Sequence, residues 1–267
     1  MKGILFYYSG SGNTKLAGQY LSKKLQNIEL EMVDVVKTNE IPQLDSYDII
    51  GFATFIDFAG TPFLFEEFIE KLPQQNEKLA FIFMTYGFLY GKGLKLLSEQ
   101  VTGKGFKVIS GFALKTPESY VPANVRGIGN VNNPTEKKLK SFDEFISDLS
   151  DIGESLVKGD EIKPRKIRTG FPNNLFPKSF HRPTRAREDM GEKFVDESLC
   201  TECGICEKGC PYTAITLDPK PKFNMTECYG CWYCYNHCPE KAIYTAKFRG
   251  EGHYPRPIEQ LRAKLQA

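Results

Sequence analysis

Eight cysteines, all between residues 200 and 238, are the side chains of this sequence with the most distinctive chemistry. They form two runs, CTECGICEKGCP from Cys200 and CYGCWYCYNHCP from Cys228, and both have the spacing C-x-x-C-x-x-C-x-x-x-C-P. The second run repeats the first after 28 residues, and an Ala-Ile pair follows each run, at Ala214 and at Ala242. Clustered thiolates are ligands for zinc and for iron–sulfur clusters, so the runs predict a metal centre.

From the residues alone, zinc binding and disulfide formation remain as alternatives to iron–sulfur clusters. Two C-x-x-C pairs can form a tetrahedral zinc site, although zinc explains neither the third cysteine of each run nor the proline. Disulfides are the weaker alternative, because the sequence has the features of a cytoplasmic protein, in which thiols stay reduced. The first 199 residues contain no cysteine, which separates the metal-binding segment from a larger N-terminal part.

The two runs resemble those of bacterial ferredoxins with two clusters, in which three cysteines of a run bind one cluster and the fourth binds the other. The resemblance covers residues 190–250 and implies a small α+β domain. Apolar burial alone cannot stabilise so small a domain, so removing the clusters is expected to unfold it. The implied ligands are Cys200, Cys203, Cys206 and Cys238 for the first 4Fe-4S cluster, and Cys228, Cys231, Cys234 and Cys210 for the second.

A second candidate site follows the first apolar run, GILFYYS, where the sequence reads SGSGNT. This loop lacks the third glycine of a dinucleotide fingerprint and the lysine of a P-loop. Its glycines still allow the backbone to approach a phosphate, which the hydroxyls and the N–H groups of a following helix can bind. The alternative is a simple strand-to-helix turn capped by Asn13. The predicted phosphate-binding residues are Ser9, Gly10, Ser11, Gly12, Asn13 and Thr14.

The first 157 residues have the pattern of an α/β domain that could position this loop. Five short runs rich in apolar, β-branched and aromatic residues predict strands that are buried on both faces. Helical patterns separate them, which predicts a five-stranded parallel sheet with helices on both faces and right-handed crossovers. The predicted strands are 3–9, 28–36, 47–54, 78–86 and 106–114, and the predicted helices are 14–26, 62–72, 92–102 and one that starts near Pro134.

A strand, then Ser-x-Ser-Gly-Asn-Thr, then an amphipathic helix resembles the phosphate loop of flavodoxins, which bind FMN. The resemblance implies the strand order 2-1-3-4-5 and a ligand at the carboxyl ends of the strands. The loops TFIDFAGTP and TYGFLYGKG would flank the flavin ring, although their aromatic residues also suit core packing. Residues 116–122 would add to the rim. The implied ring contacts are Thr54, Phe55, Ile56, Phe58, Thr85, Tyr86, Gly87, Phe88, Tyr90 and Gly91.

Charge and hydropathy narrow the class of protein further. A net charge of +2 over 267 residues is typical neither of a nucleic-acid-binding protein nor of a strongly acidic carrier. No apolar run approaches the ~20 residues of a membrane span and no signal peptide is evident, so we expect a cytoplasmic protein.

Residues 158–189, rich in proline and basic residues, are predicted to be a linker that either steers an acidic redox partner or is simply solvated. Residues 251–267 would form a C-terminal tail.

Joined in one chain, a flavodoxin-like FMN domain and a two-cluster ferredoxin domain resemble the EFR family of fused flavodoxin–ferredoxin proteins, found mainly in anaerobes. The resemblance implies electron transfer between FMN, two 4Fe-4S clusters and an external redox partner, which is a protein or a small molecule.

One alternative is an FMN-dependent oxidoreductase that reduces a quinone or another organic acceptor, although no acid–base pair is evident. Another is a binding module that has lost FMN. A homodimer is compatible with the sequence.

Overall fold

A sheet of five parallel strands forms the centre of the first domain in the computed structural model of this protein. The strand order along the sheet is 2-1-3-4-5 in chain numbering, and all four neighbouring pairs are parallel. The predicted α/β fold and its strand order are therefore confirmed. The strands are β1 (Lys2–Tyr7), β2 (Glu29–Asp34), β3 (Ile49–Phe55), β4 (Lys78–Tyr86) and β5 (Phe106–Lys115). The structure describes residues 1–38, 40–88, 90–165, 167 and 182–266.

Helices cover both faces of this sheet, because its strands are apolar on both sides. They are α1 (Asn13–Lys24), α2 (Phe63–Lys71), α3 (Gly93–Gly103), α4 (Val121–Val125) and α5 (Glu136–Lys158), together with a 3₁₀ helix at Leu44–Ser46. Leu21 of α1 and Phe142 of α5 belong to the core on one face. Phe65 of α2 and Leu97 of α3 belong to the core on the other face. The short helix α4 was not predicted from the sequence.

The second domain consists of two similar halves, as the cysteine repeat predicts. Its elements are α6 (Arg185–Met190), β6 (Lys193–Val195), α7 (Ile205–Lys208), β7 (Ile215–Asp218), β8 (Lys220–Phe223), α8 (Tyr233–His237) and β9 (Ile243–Thr245). Strand β6 pairs with β9 and β7 pairs with β8, both antiparallel. The backbone follows the repeat even where residue types differ, since Gly204 and Trp232, one repeat apart, have φ values of 74° and 63°.

The segments flanking the second domain both contact the first domain. The predicted tail contains a helix, α9 (Glu259–Leu265), whose Leu261 and Leu265 pack into the same core as Leu21. The beginning of the predicted linker runs beside β5, where the Arg165 amide donates to the Ile109 carbonyl at 2.7 Å. Residue 166 and residues 168–181 of that linker lie outside the described residues, and the proposed steering role therefore stays a prediction. Within the described ranges no helix is long and apolar enough to cross a bilayer.

The substitution Leu261→Ala is expected to lower the free energy of unfolding of the first domain by about 2–5 kcal/mol, because it removes a fully buried side chain from its core. Urea denaturation followed by circular dichroism measures the change. Gln260→Ala alters an exposed residue of the same helix and should change the free energy by less than about 0.5 kcal/mol. Equal stability of Leu261→Ala and the unaltered protein would show that α9 does not pack on the first domain in solution.

Candidate functional site

A cavity of ≈ 350 Å³ lies where the carboxyl edge of the parallel sheet meets the second domain. The volume is that of an ordinary ligand pocket. The cavity lies near the ends of β1 and β3, where the strand order reverses, and open α/β sheets bind their ligands at this position. The first domain contributes the loops after β1, β3, β4 and β5 to its wall, and the second domain contributes residues around α6 and the segment 229–233.

The loop predicted to bind phosphate leads into α1 and reaches the cavity. Gly10 and Ser11 line the wall, and Gly12, the N-cap of α1, has a φ of 91° that favours glycine. Gly12 supplies no capping side chain; in the first turn, the Lys15 amide donates to Ser9 Oγ at 3.2 Å. The positive end of the α1 dipole is therefore directed to the cavity side of this loop, where an anionic group would be stabilised.

Asn13 does not cap α1, so the simple capped turn considered from the sequence is wrong. Its side-chain amide donates to the Pro117 carbonyl at 3.0 Å, and its Oδ1 accepts from the Tyr254 hydroxyl at 2.9 Å. Both Asn13 and Tyr254 are buried. Asn13 thus connects the phosphate loop to the loop after β5 and to the C-terminal segment, which sequence patterns gave no reason to expect.

Three buried threonines of the predicted site lie outside the cavity wall. Thr14 Oγ1 and Thr85 Oγ1 are 2.8 Å apart and share a hydrogen bond, which connects α1 to the end of β4. Thr54, at the end of β3, is fully buried, and its hydroxyl has no hydrogen-bond partner among the residues described. The bond between Thr14 and Thr85 therefore supports the loops that carry the site.

The two loops predicted to flank a ring contribute unequally to the cavity. Phe55, Ile56 and Phe58 after β3 line the wall, as do Gly87 and Phe88 after β4. The ring of Phe55 lies 3.8 Å from the position of a Cβ on Gly10, so this loop adjoins the phosphate loop. Three other predicted ring contacts, Tyr86, Tyr90 and Gly91, are absent from the wall. The ring centroids of Tyr86 and Tyr90 lie 5.1 Å apart, and Gly91 packs against Ala59.

Glu118 is a cavity residue that the sequence did not single out, although it lies within the predicted rim segment. Its carboxylate accepts hydrogen bonds from the amides of Phe88 at 2.9 Å, Ser119 at 2.9 Å and Tyr120 at 3.1 Å. Burial raises the pKa of this carboxyl group. A Cβ on Gly87 would lie 2.3 Å from Glu118 Oε2, so only glycine fits there. Glu118 therefore fixes the loop after β4 to the loop after β5.

The second domain completes the wall with Tyr229, Cys231 and Trp232. The hydroxyl of Tyr229 donates to the Asp57 carboxylate, which makes a hydrogen bond between the two domains beside the cavity. Burial, followed by the charge of Asp57, raises the pKa of Tyr229 well above its usual value, so the phenol keeps its proton. Domain docking of this kind leaves no periodic pattern in a sequence, which is why Tyr229 and Trp232 were not predicted to line the flavin cavity.

The eight cysteines line two small cavities inside the second domain. Among the described residues no three His, Cys, Asp or Glu side chains converge on one point as a single metal ion requires. The four cysteines of each set instead line a common space, as the ligands of an iron–sulfur cube would. The first space is lined by Cys200, Cys203, Cys206 and Cys238, and the second by Cys210, Cys228, Cys231 and Cys234.

The Ala-Ile pair after each cysteine run has a matching role in the two halves. The amide of Ala214 donates to Cys210 Sγ at 3.4 Å, and the amide of Ala242 donates to Cys238 Sγ at 3.2 Å. Both alanines and the isoleucines that follow them are buried. A small residue is needed because the chain passes close to sulfur, and N–H···S bonds of this kind tune the potential of an iron–sulfur cluster.

The two cysteine sets differ in exposure. Cys203 of the first set is exposed, whereas Cys228 and Cys234 of the second set are buried. Burial raises the pKa of the Cys206 thiol to about 11, and burial followed by neighbouring thiolate charge raises the pKa of Cys231 well above its usual value. Free thiols at these positions stay protonated at neutral pH, so binding of metal must release protons. The second set is the inner one and adjoins the large cavity through Cys231.

Comparison with known proteins supports the assignment of the second domain. Residues 199–246 match the family model of the 4Fe-4S dicluster domain. A ferredoxin of Pyrobaculum islandicum is 37% identical over 54 residues, which are 20% of this chain and 50% of that protein. The uncharacterized protein MJ0298 of Methanocaldococcus jannaschii is 30% identical over 152 residues, 56% of this chain and 98% of that protein. A flavodoxin structure from Archaea aligns with a TM-score of 0.43 at 20% identity, covering 58% of this chain and 99% of the flavodoxin.

The protein is a fusion of a flavodoxin-like domain, defined by its strand order, with a ferredoxin-type 4Fe-4S dicluster domain. This confirms the fusion predicted from the sequence, and it gives no support to the zinc alternative. The chain belongs to the same family as MJ0298, of which it spans nearly the whole length. The combination of the two domain types indicates a role in electron transfer.

Tyr229→Phe is expected to lower the free energy of unfolding of the full chain by about 0.5–1.5 kcal/mol, because it removes the hydrogen bond to Asp57 between the domains. Denaturant titration of the cofactor-loaded protein measures this loss. The control is Tyr244→Phe, which removes the hydroxyl of a tyrosine that stacks on Phe194 at the surface of the second domain. If the two variants were equally stable, the Tyr229 contact would contribute nothing to docking.

Proposed function

We propose that this protein binds FMN in the large cavity and passes electrons between the flavin and two 4Fe-4S clusters, and so to or from an external redox partner. The observation that carries the proposal is that one cavity wall contains both the predicted flavin loops and Cys231 of the inner cysteine set. A ring bound there would touch the segment that ligates a cluster. No other polypeptide layer would separate the two cofactors.

The residues of the cavity fit FMN in charge and in shape. Gly10 and Ser11 adjoin the positive end of α1, which suits a phosphate group. Phe55, Ile56 and Phe58 offer an apolar and aromatic wall, which suits a flat ring. Bound FMN would supply the exchange of either one or two electrons. The chain would bind its phosphate, orient its ring and exclude water.

The cysteine sets suit two clusters placed in series behind the cavity. We assign Cys210, Cys228, Cys231 and Cys234 to the inner cluster and Cys200, Cys203, Cys206 and Cys238 to the outer one, in accord with the two lined spaces. Because Cys203 is exposed, the outer cluster is the one an external partner can approach. In this arrangement electrons travel from the cavity through the inner cluster to the outer cluster and the surface, or the reverse.

Replacing Ser11 by glutamate is expected to abolish flavin binding, because it places a carboxylate where the phosphate of FMN would lie. Flavin released from anaerobically purified protein and iron content are measured together. Iron should be unchanged, since Ser11 is not among the residues that line the space of either cysteine set. Ser147→Glu, at an exposed position of α5, is the matched control and should keep both cofactors. Unchanged flavin content in Ser11→Glu would show that the phosphate lies elsewhere.

The central experiment is a rapid one-electron reduction of the fully loaded protein without oxygen, followed by absorbance of flavin and clusters. We expect the electron to redistribute between the two cofactors at a rate independent of protein concentration, because both lie in one chain. The Ser11→Glu variant should lack this phase. Redistribution that accelerates in proportion to protein concentration would mean that the cofactors meet only between molecules, which would contradict the proposal. Steady-state turnover of quinones by the same protein would favour the oxidoreductase alternative over a carrier.

A further inference from the structure

A buried lysine lies against the inner cysteine set. Lys193, in strand β6, is 6% exposed, and its Nζ is 3.5 Å from Cys234 Sγ. It also lines the space enclosed by the four cysteines of that set. The position is fixed by the backbone, since Lys193 pairs with Thr245 at the end of the two-stranded sheet of β6 and β9. The ammonium group is therefore held beside the sulfur ligands.

No carboxylate balances the charge of Lys193 within the described part of the second domain. None of the ion pairs there includes it, and its ammonium group also interacts with Cys228 and lies 4.7 Å from the centroid of the Phe223 ring. Burying an ammonium group is unfavourable unless an opposite charge compensates it. The negative charge nearest to Lys193 is that of the cysteine thiolates and whatever they bind. The lysine is thus electrostatically coupled to the inner set.

The internal repeat allows the residues beside the inner cysteine set to be compared with those beside the outer set. A shift of 28 residues places Pro221 of strand β8 at the position equivalent to Lys193. Pro221 is buried and lines the space of the outer cysteine set, where it brings no charge. A lysine beside that set, Lys220, donates to the Cys200 carbonyl and is paired with Glu202 at 2.8 Å. The two sets therefore share their spacing and their N–H···S bonds but differ in one unbalanced buried cation.

We infer that Lys193 raises the reduction potential of the inner cluster above that of the outer cluster. Reduction adds one electron to a cluster, and a nearby buried cation stabilises the reduced form more than the oxidised form. Each cluster takes up or releases one electron, and Lys193 itself gains and loses nothing. An electron leaving the flavin would therefore rest first on the cluster beside the cavity. The inference rests on the proposed function in treating Cys210, Cys228, Cys231 and Cys234 as the ligands of one cluster.

The test is an anaerobic redox titration, followed by electron paramagnetic resonance, of the fully loaded protein and its Lys193 variants. The unaltered protein should show two one-electron cluster steps. Lys193→Met should lower the midpoint potential of the higher step, which belongs to the inner cluster. At a fixed potential the ratio of reduced to oxidised inner cluster should fall at least tenfold, and a tenfold fall corresponds to a shift of about 59 mV for one electron. The lower step should stay in place. Lys193→Arg keeps the positive charge, so both midpoint potentials should stay as they are in the unaltered protein.

The control is Lys208→Met, which removes the same charge from an exposed position on α7 and should move neither step. If Lys193→Met loses iron, Lys193→Gln, which is polar but uncharged, decides the question. A loaded Lys193→Met or Lys193→Gln variant with both steps unchanged would overturn the inference and leave the proposed function intact. Unaltered protein with iron and sulfide for only one cluster would instead contradict the proposed function itself.

Discussion

The contact between the segment 229–233 and the carboxyl edge of the parallel sheet is the constraint on which the rest of the structure depends. Tyr229 of this segment donates to Asp57 of the loop after β3. At Gly230 the segment also passes so close to α6 of its own domain that a Cβ would lie 2.5 Å from the Ala186 carbonyl carbon. Trp232 adopts a left-handed backbone conformation, which is unfavourable for a bulky residue, where the first half has Gly204. Its indole is buried with Val121 and Met190 at the junction of the domains. The second half of the repeat has thus diverged from the first to form an interface.

The C-terminal segment reinforces this contact at the opposite side of the cavity. Tyr254 donates through its hydroxyl to Asn13 of the phosphate loop, and its amide donates to Asn236 of α8 at 3.0 Å. Asn236 in turn donates to the Ser119 carbonyl at 3.3 Å. Pro257 covers Gly12, where a Cβ would lie 2.8 Å from its Cδ. One chain of polar contacts therefore links the loop predicted to bind phosphate, the second domain and the loop after β5.

The sequence was sufficient for those features that local patterns encode. Alternation of apolar runs with helical patterns predicted all five strands of the sheet. The resemblance of the cysteine runs to bacterial ferredoxins implied two crossed sets, and Cys210 does line the same space as Cys228. The sequence did not reveal that Tyr86 and Tyr90 would contact each other and lie outside the cavity wall, because an aromatic residue in a loop has the same pattern whether it faces a ligand or a neighbour. Glu118 and Tyr229 were missed because each forms a hydrogen bond with a residue distant in the chain, Phe88 and Asp57 respectively.

The proposed electron transfer requires that the flavin ring and the inner iron–sulfur cluster lie in contact across one cavity wall. The most direct measurement is the paramagnetic interaction between a flavin semiquinone and the reduced inner cluster in oxygen-free, fully loaded protein. We predict that reducing the cluster broadens the semiquinone signal and shortens its relaxation time, as expected for two spins in adjacent sites. A semiquinone whose linewidth and relaxation are the same with the cluster oxidised and reduced would contradict the account.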